Sequence, residues 1–239
     1  MMAQAENLWV PIISDILGSP MPRSRVLVGL YDASSSWLSL ILTMAAGLLK
    51  AGNVVNVITL ATPPSQIRSE LTRAVPNLGE LESANRFFLA DWHTWMTGRK
   101  SQEKVSMETL SLAKMSLDQS RFQRQLSPSY DFVVADSAST ILKYNDERAF
   151  MQWFDRIVAD VKLLKGIRLY GFLKKFHSEG LYTNIESIAD GVIEFDYRER
   201  NGVLENAIRL KAIKGMAHPS DWRRLSITQD GSLAFSPEH

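Results

Sequence analysis

Val26-Leu27-Val28-Gly29-Leu30-Tyr31-Asp32-Ala33-Ser34-Ser35-Ser36-Trp37 carries an apolar run through a short loop of small residues into residues 38–49, a stretch of helical character. Strand, tight loop, helix is the frame of a phosphate-binding loop. The pattern of Gly, four residues, Gly, Lys and Ser or Thr fits with Gly29 first. Ser34 then takes the second glycine, Ser35 the lysine and Ser36 the hydroxyl residue. The second glycine lets backbone N–H groups close around phosphates, and the lysine supplies the charge facing the β- and γ-oxygens. A serine at position 35 donates one hydrogen bond and brings no charge. On these residues alone, an ordinary buried strand followed by a serine-rich turn explains the stretch equally well.

The chain has 239 residues, 45% of them apolar, and a formal charge of +1. That length fits one large α/β domain or two small ones. No Pro/Gly/Ser-rich linker divides it, so one domain over 1–239 is expected. The near-neutral balance points to no particular partner. Absence of cysteine excludes disulfides, thiolate metal sites and thiol catalysis, and suits a cytoplasmic location. His93, His177, His218 and His239 stand far apart without ligand spacing, so no metal centre is expected. The start of the chain lacks a basic segment followed by a long apolar region. The longest apolar stretch, residues 37–49, is too short to span a bilayer, and no membrane partner is expected.

Strand and helix patterns alternate along the chain, which predicts a mainly parallel sheet covered by helices. Strands are expected over 25–30, 54–60, 86–91, 130–135 and 167–173. Helices are expected over 38–49, over 66–74 with Ser65 as cap after Pro63-Pro64, through most of the polar stretch 97–125, and over 147–164. The final third changes character. Residues 191–196, 207–212 and 224–227 read as short strands joined by tight turns, an antiparallel finish to the sheet.

In order, these segments resemble the KaiC-like branch of the RecA superfamily of ATPases, over nearly the whole chain. Residues 16–29, ILGSPMPRSRVLVG, are similar to that family's entry into its P-loop strand. Tyr130-Asp131-Phe132-Val133-Val134-Ala135-Asp136-Ser137 resembles its Walker B strand, with Asp136 in the acidic position. Glu186-Ser187-Ile188-Ala189-Asp190-Gly191-Val192-Ile193-Glu194 looks like the segment that opens its C-terminal hairpins. Lys214-Gly215-Met216-Ala217-His218 matches a basic, glycine, histidine turn. The resemblance implies a RecA-like fold and an ATP site.

The departures change the expected function. Ser34 and Ser35 replace the P-loop glycine and lysine, and Ala61-Thr62 replaces the acidic pair that activates water in the family. Charge neutralisation and water polarisation are both affected. Gly29, Ser34, Ser35, Ser36, Trp37 and Asp136 are therefore expected to form a degenerate nucleotide site, with no catalytic residue and no ATP or magnesium cofactor. Asp136 either holds a metal or caps a turn as a strand-end carboxylate, and the second reading is preferred. Trp37, directly after the loop, is expected to plug the space beside the phosphates.

Lys211, Lys214 and His218 are candidates for reaching a neighbouring subunit's nucleotide, as the resemblance implies, or for a solvated hairpin. With Trp222, Arg223 and Arg224 they are also candidates for contacting nucleic-acid phosphates. Trp92-His93-Thr94-Trp95 is expected to pack under the polar segment that follows, with base stacking as the other reading. Three functions follow. One is a non-catalytic assembly, scaffold or regulatory subunit, either a homo-oligomer or paired with an active RecA-like paralogue. The second is a recombinase-paralogue subunit binding single-stranded DNA, and the third is residual NTP hydrolysis or completion of a partner's site by Lys214.

Overall fold

A computed structural model describes residues 6–117, 130–200 and 202–236. Its order is β1 (Asn7–Leu8), α1 (Ile13–Leu17), β2 (Met21–Pro22), β3 (Arg25–Tyr31), α2 (Trp37–Lys50), β4 (Val55–Thr59), α3 (Pro64–Ala74), α4 (Leu78–Ser83), β5 (Phe87–Asp91) and β6 (Val105–Ser106). A helix α5 starts at residue 112 and is described through 117. Then come β7 (Phe132–Ala135), α6 (Ser139–Leu142), α7 (Glu147–Leu163), β8 (Ile167–Leu173), α8 (Glu179–Ile188), β9 (Gly191–Arg200), β10 (Val203–Ile213), β11 (Arg223–Ile227) and β12 (Leu233–Phe235).

Ten strands form one sheet in the order β12-β11-β10-β9-β3-β8-β7-β4-β5-β6. From β9 to β6 every pairing is parallel; β9 to β12 are antiparallel. This is a RecA-like α/β sheet with antiparallel C-terminal strands, as the alternation of segments predicts. The central strands are buried on both faces, as parallel strands covered by helices must be. One apolar layer joins α2 to Leu27, Val57, Leu169 and Ile193. The other joins α7 and α8 to Val28, Ile58, Val133 and Tyr170.

The start of β3 is fixed by charge. Asp190, just before β9, accepts from the Val26 amide at 2.8 Å and takes both carboxylate oxygens to Lys162 at 2.5 and 2.6 Å. The Ala-Asp-Gly triplet thus ties α7, β3 and the hairpin together. Arg23 pairs with Asp131 at 2.5 Å, linking the entry segment to β7.

Several boundaries differ from the sequence expectation. Pro64 is the first residue of α3 and Pro63 occupies the cap position, so Ser65 lies inside the helix; proline's fixed φ suits the first turn. Within the stretch 97–125, residues 98–111 are not helical. A 3-10 turn, Thr94–Thr97, ends at Gly98 in the left-handed region (φ 67°), extended chain leads to β6, and helix resumes only at residue 112. Arg68, holding Glu82 at 2.8 and 2.9 Å and Glu103 at 2.9 and 2.5 Å, anchors this extended path. Residues 118–125 of that expectation, and His239, lie outside the described residues. The β9–β10 hairpin is longer than its short apolar runs suggest, because its outer half is mostly exposed and pairs with itself rather than with the core. Among the described residues no helix is long and apolar enough to cross a membrane.

Candidate functional site

The loops after β3, β4, β7 and β8 meet at the carboxyl end of the parallel strands, where open α/β sheets bind ligands. Asp32 to Ser36 is the loop that would hold phosphate, and the donors of its three serines are committed within the chain. The Ser34 amide and hydroxyl both donate to Asp32 Oδ1, at 2.9 and 2.5 Å. The Ser35 amide and hydroxyl donate to the Asp32 carbonyl, at 3.0 and 2.6 Å. The Ser36 amide donates to Asn206 Oδ1 on β10 at 3.0 Å, and its hydroxyl is 3.3 Å from that of Tyr197. Three consecutive N–H groups of the sort that cradle an anion thus face acceptors of the chain itself.

The loop also carries an anion of its own. Hydrogen bonds from Ser34 hold the Asp32 carboxyl below its ordinary range, with Lys175 and Lys174 adding to the effect, so an anion stands at the loop. Lys174 itself pairs with Asp196 at 2.8 Å.

Trp37 begins α2 and is buried. Its ring stacks on Tyr31, with centroids 4.8 Å apart and planes 5° from parallel, and Nε1–H donates to the Asp136 carbonyl at 2.6 Å. Below it lie Gly29 and Gly171, register partners on β3 and β8. A Cβ on Gly29 would come within 2.1 Å of the indole, and one on Gly171 within 2.6 Å. Gly29 is therefore an in-strand glycine that makes room for tryptophan, two residues before β3 ends. Gly171, its counterpart, carries no motif and can only be recognised once the strands are paired.

Asp136 is buried, and both carboxylate oxygens point back into the chain. Leu60 N and Thr62 N donate to it at 2.7 and 2.8 Å, and Ala61 N contacts both oxygens at 3.1 Å. Burial pushes the carboxyl up from its ordinary value, while these amides pull the other way. The carboxylate organises the loop after β4, including Ala61-Thr62, where the family resemblance places the water-activating acids. Next to it, Tyr31 Oη donates to Ser137 Oγ at 2.9 Å, and burial raises the phenol to about 12.

The residues therefore do not fit ATP with magnesium. The loop amides and the Asp136 carboxylate are engaged, the indole fills the adjacent space, and no lysine stands at position 35. A polar group absent from the sequence reading lies beside this site: Ser139 Oγ accepts from Leu173 N at 2.9 Å and is 2.8 Å from His177 Nε2. It ties the turn after β7 to the end of β8.

The C-terminal candidates lie elsewhere and do not converge. Lys211 pairs with Glu186 at 2.8 Å and Lys214 Nζ donates to the Ser187 carbonyl at 2.6 Å, so both clamp β10 to α8. His218 Nε2 accepts from Ile213 N at 3.1 Å. The Lys214 carbonyl accepts from Arg25 at the start of β3, which puts this turn at the end of the sheet opposite Ser34 to Ser36. Arg223 pairs with Asp221 at 2.8 Å and Arg224 with Glu205 at 3.2 Å.

Trp222 sits between guanidinium groups the sequence reading passed over, Arg198 at 4.0 Å and Arg209 at 4.7 Å from its ring centre. Trp92 packs into the apolar layer below α7, and Trp95 Nε1 donates to its carbonyl at 2.9 Å. Among the described residues, no group of three or more His, Asp or Glu side chains assembles as a metal cluster. Comparison with protein-family models and with curated proteins finds no match to the chain.

Proposed function

We propose that this chain is a non-catalytic RecA-like protein of the KaiC-like branch, acting as an assembly, scaffold or regulatory subunit. One observation carries the non-catalytic half. The amides of Ser34, Ser35 and Ser36 and the carboxylate of Asp136, groups the chain would offer to phosphate or magnesium, are engaged within the chain. A site working in phosphoryl transfer keeps such donors free for charge that develops in the reaction. Here they maintain the fold instead.

The assembly half rests on the resemblance. RecA-type domains associate side by side, and a fold retained without its chemistry keeps that surface. Sedimentation of the purified chain, alone and with an active RecA-like ATPase, tests it. Self-association, or a mixed complex with altered ATPase rate, is expected; a monomer that leaves the partner's rate unchanged contradicts it. If Lys214 completes the partner's site, Lys214→Ala removes the rate effect while the complex persists.

The DNA-binding reading draws on the half-buried Trp222 and its two arginines. The ion pairs of Lys211, Arg209, Arg223 and Arg224 with acidic neighbours weaken it, since phosphate would have to displace those partners. Salt-dependent binding of single-stranded DNA would restore it.

A further inference from the structure

The sheet face opposite Trp37 holds a cavity of about 70 Å³ between α7 and the strands β4, β7 and β8. Most of its wall is apolar, including Ile58, Val133, Ile157 and Val161. The half-buried Arg168, the second residue of β8, lines this wall together with Tyr130 and Tyr170. Among the described residues it makes no hydrogen bond or ion pair. Burial pushes the guanidinium below its ordinary pKa, with Asp160 and the two tyrosines acting against that from a distance.

Two further polar atoms of residues in the same wall, Asn56 Oδ1 and Trp92 Nε1, are buried without a hydrogen-bond partner. Both residues are more than nine-tenths buried. A buried polar atom without a partner costs about 1–3 kcal/mol. Two such atoms around one cavity, beside the half-buried guanidinium of Arg168, make a poor structural core, but they make a built receptor for something that supplies the missing partners.

We propose that this cavity is a binding site for a small organic carboxylate, independent of the degenerate nucleotide site. A planar carboxylate matches the fork of Arg168, whose N–H groups point along parallel directions. The apolar wall takes a short hydrocarbon tail. At roughly 10–15 Å³ per water-sized occupant, the space suits on the order of five heavy atoms. Asn56 and Trp92 offer an acceptor and a donor to any hydroxyl or carbonyl on that tail. Asp160, exposed on α7 at the cavity wall, is the one carboxylate there and opposes an anion.

The test uses the full chain and propionate as probe, with propionamide as the neutral counterpart and inorganic phosphate as the other anion. The Trp92 indole N–H resonance, assigned with Trp92→Phe, reports occupancy. Propionate is expected to shift it saturably, with propionamide at least about tenfold weaker, and Arg168→Met is expected to abolish the shift. Asp160→Asn changes only an exposed side chain and is expected to tighten propionate about two- to fivefold. Absence of saturation up to about 50 mM propionate would overturn the proposal. Equal binding of propionamide, a response to phosphate alone, or weaker binding in Asp160→Asn would do the same.

Discussion

The indole of Trp37 lies over Gly29 and Gly171, stacks on Tyr31 and reaches the Asp136 carbonyl, so one side chain joins the loop after β3 to the end of β7. Trp37→Ala opens a large cavity there and is expected to cost about 3–5 kcal/mol in a urea unfolding titration. A loss below about 1 kcal/mol would mean that the ring is not a packing element. Asp136→Asn separates two roles for the carboxylate. In a working ATPase that change removes a metal position and need not weaken the fold. Here it replaces an acceptor of three amides, and a loss of about 3 kcal/mol is expected from the same titration. Unchanged stability would contradict the assignment of Asp136 to the loop after β4. The substitutions at Ser34 and Ser35 were legible in the sequence. The partner of the neighbouring Ser36 was not, because Asn206 is brought to the loop by β10, far along the chain.

Among the elements, the parallel strands are nearly all legible from continuous apolar runs, and β8 matches residue for residue at 167–173. The outer halves of β9 and β10 are not, since the charged run of β9 and the exposed Val203 and Leu204 of β10 pair with each other rather than with a core. The stretch 97–125 departs from the expected helix over residues 98–111, for a related reason. Its apolar residues recur at helical spacing, but Leu110 is buried in non-helical chain, held by a path anchored on Arg68. That anchor carries a pH dependence. Hydrogen bonds from Arg68 hold the Glu82 carboxyl below its ordinary value of 4.5. Its contribution is therefore complete above that value and is lost as pH falls through the lower folded-state pKa. Arg68→Ala is expected to lower the thermal midpoint at neutral pH and to approach wild type at acid pH, when Glu82 is protonated in both. A constant gap across that range would show that the clamp acts through packing of the arginine stem instead.

At the scale of the whole molecule, the sheet keeps its ligand-binding end but fills it from inside. Asp32 supplies the negative charge, Trp37 the volume, and Asp136 the carboxylate that holds a neighbouring loop. The basic residues of the C-terminal strands clamp β10 against α8 and its neighbours, so they stabilise a surface on the far side from the loop. This division suits the proposed non-catalytic scaffold, since groups at the carboxyl end of the strands serve the fold. The central claim is that this end of the sheet no longer receives a nucleoside triphosphate. Calorimetric titration of the purified chain with ATP and magnesium tests it most directly. No saturable heat through the micromolar range is expected. A dissociation constant in the micromolar range, or phosphate release that Asp136→Asn abolishes, would contradict it.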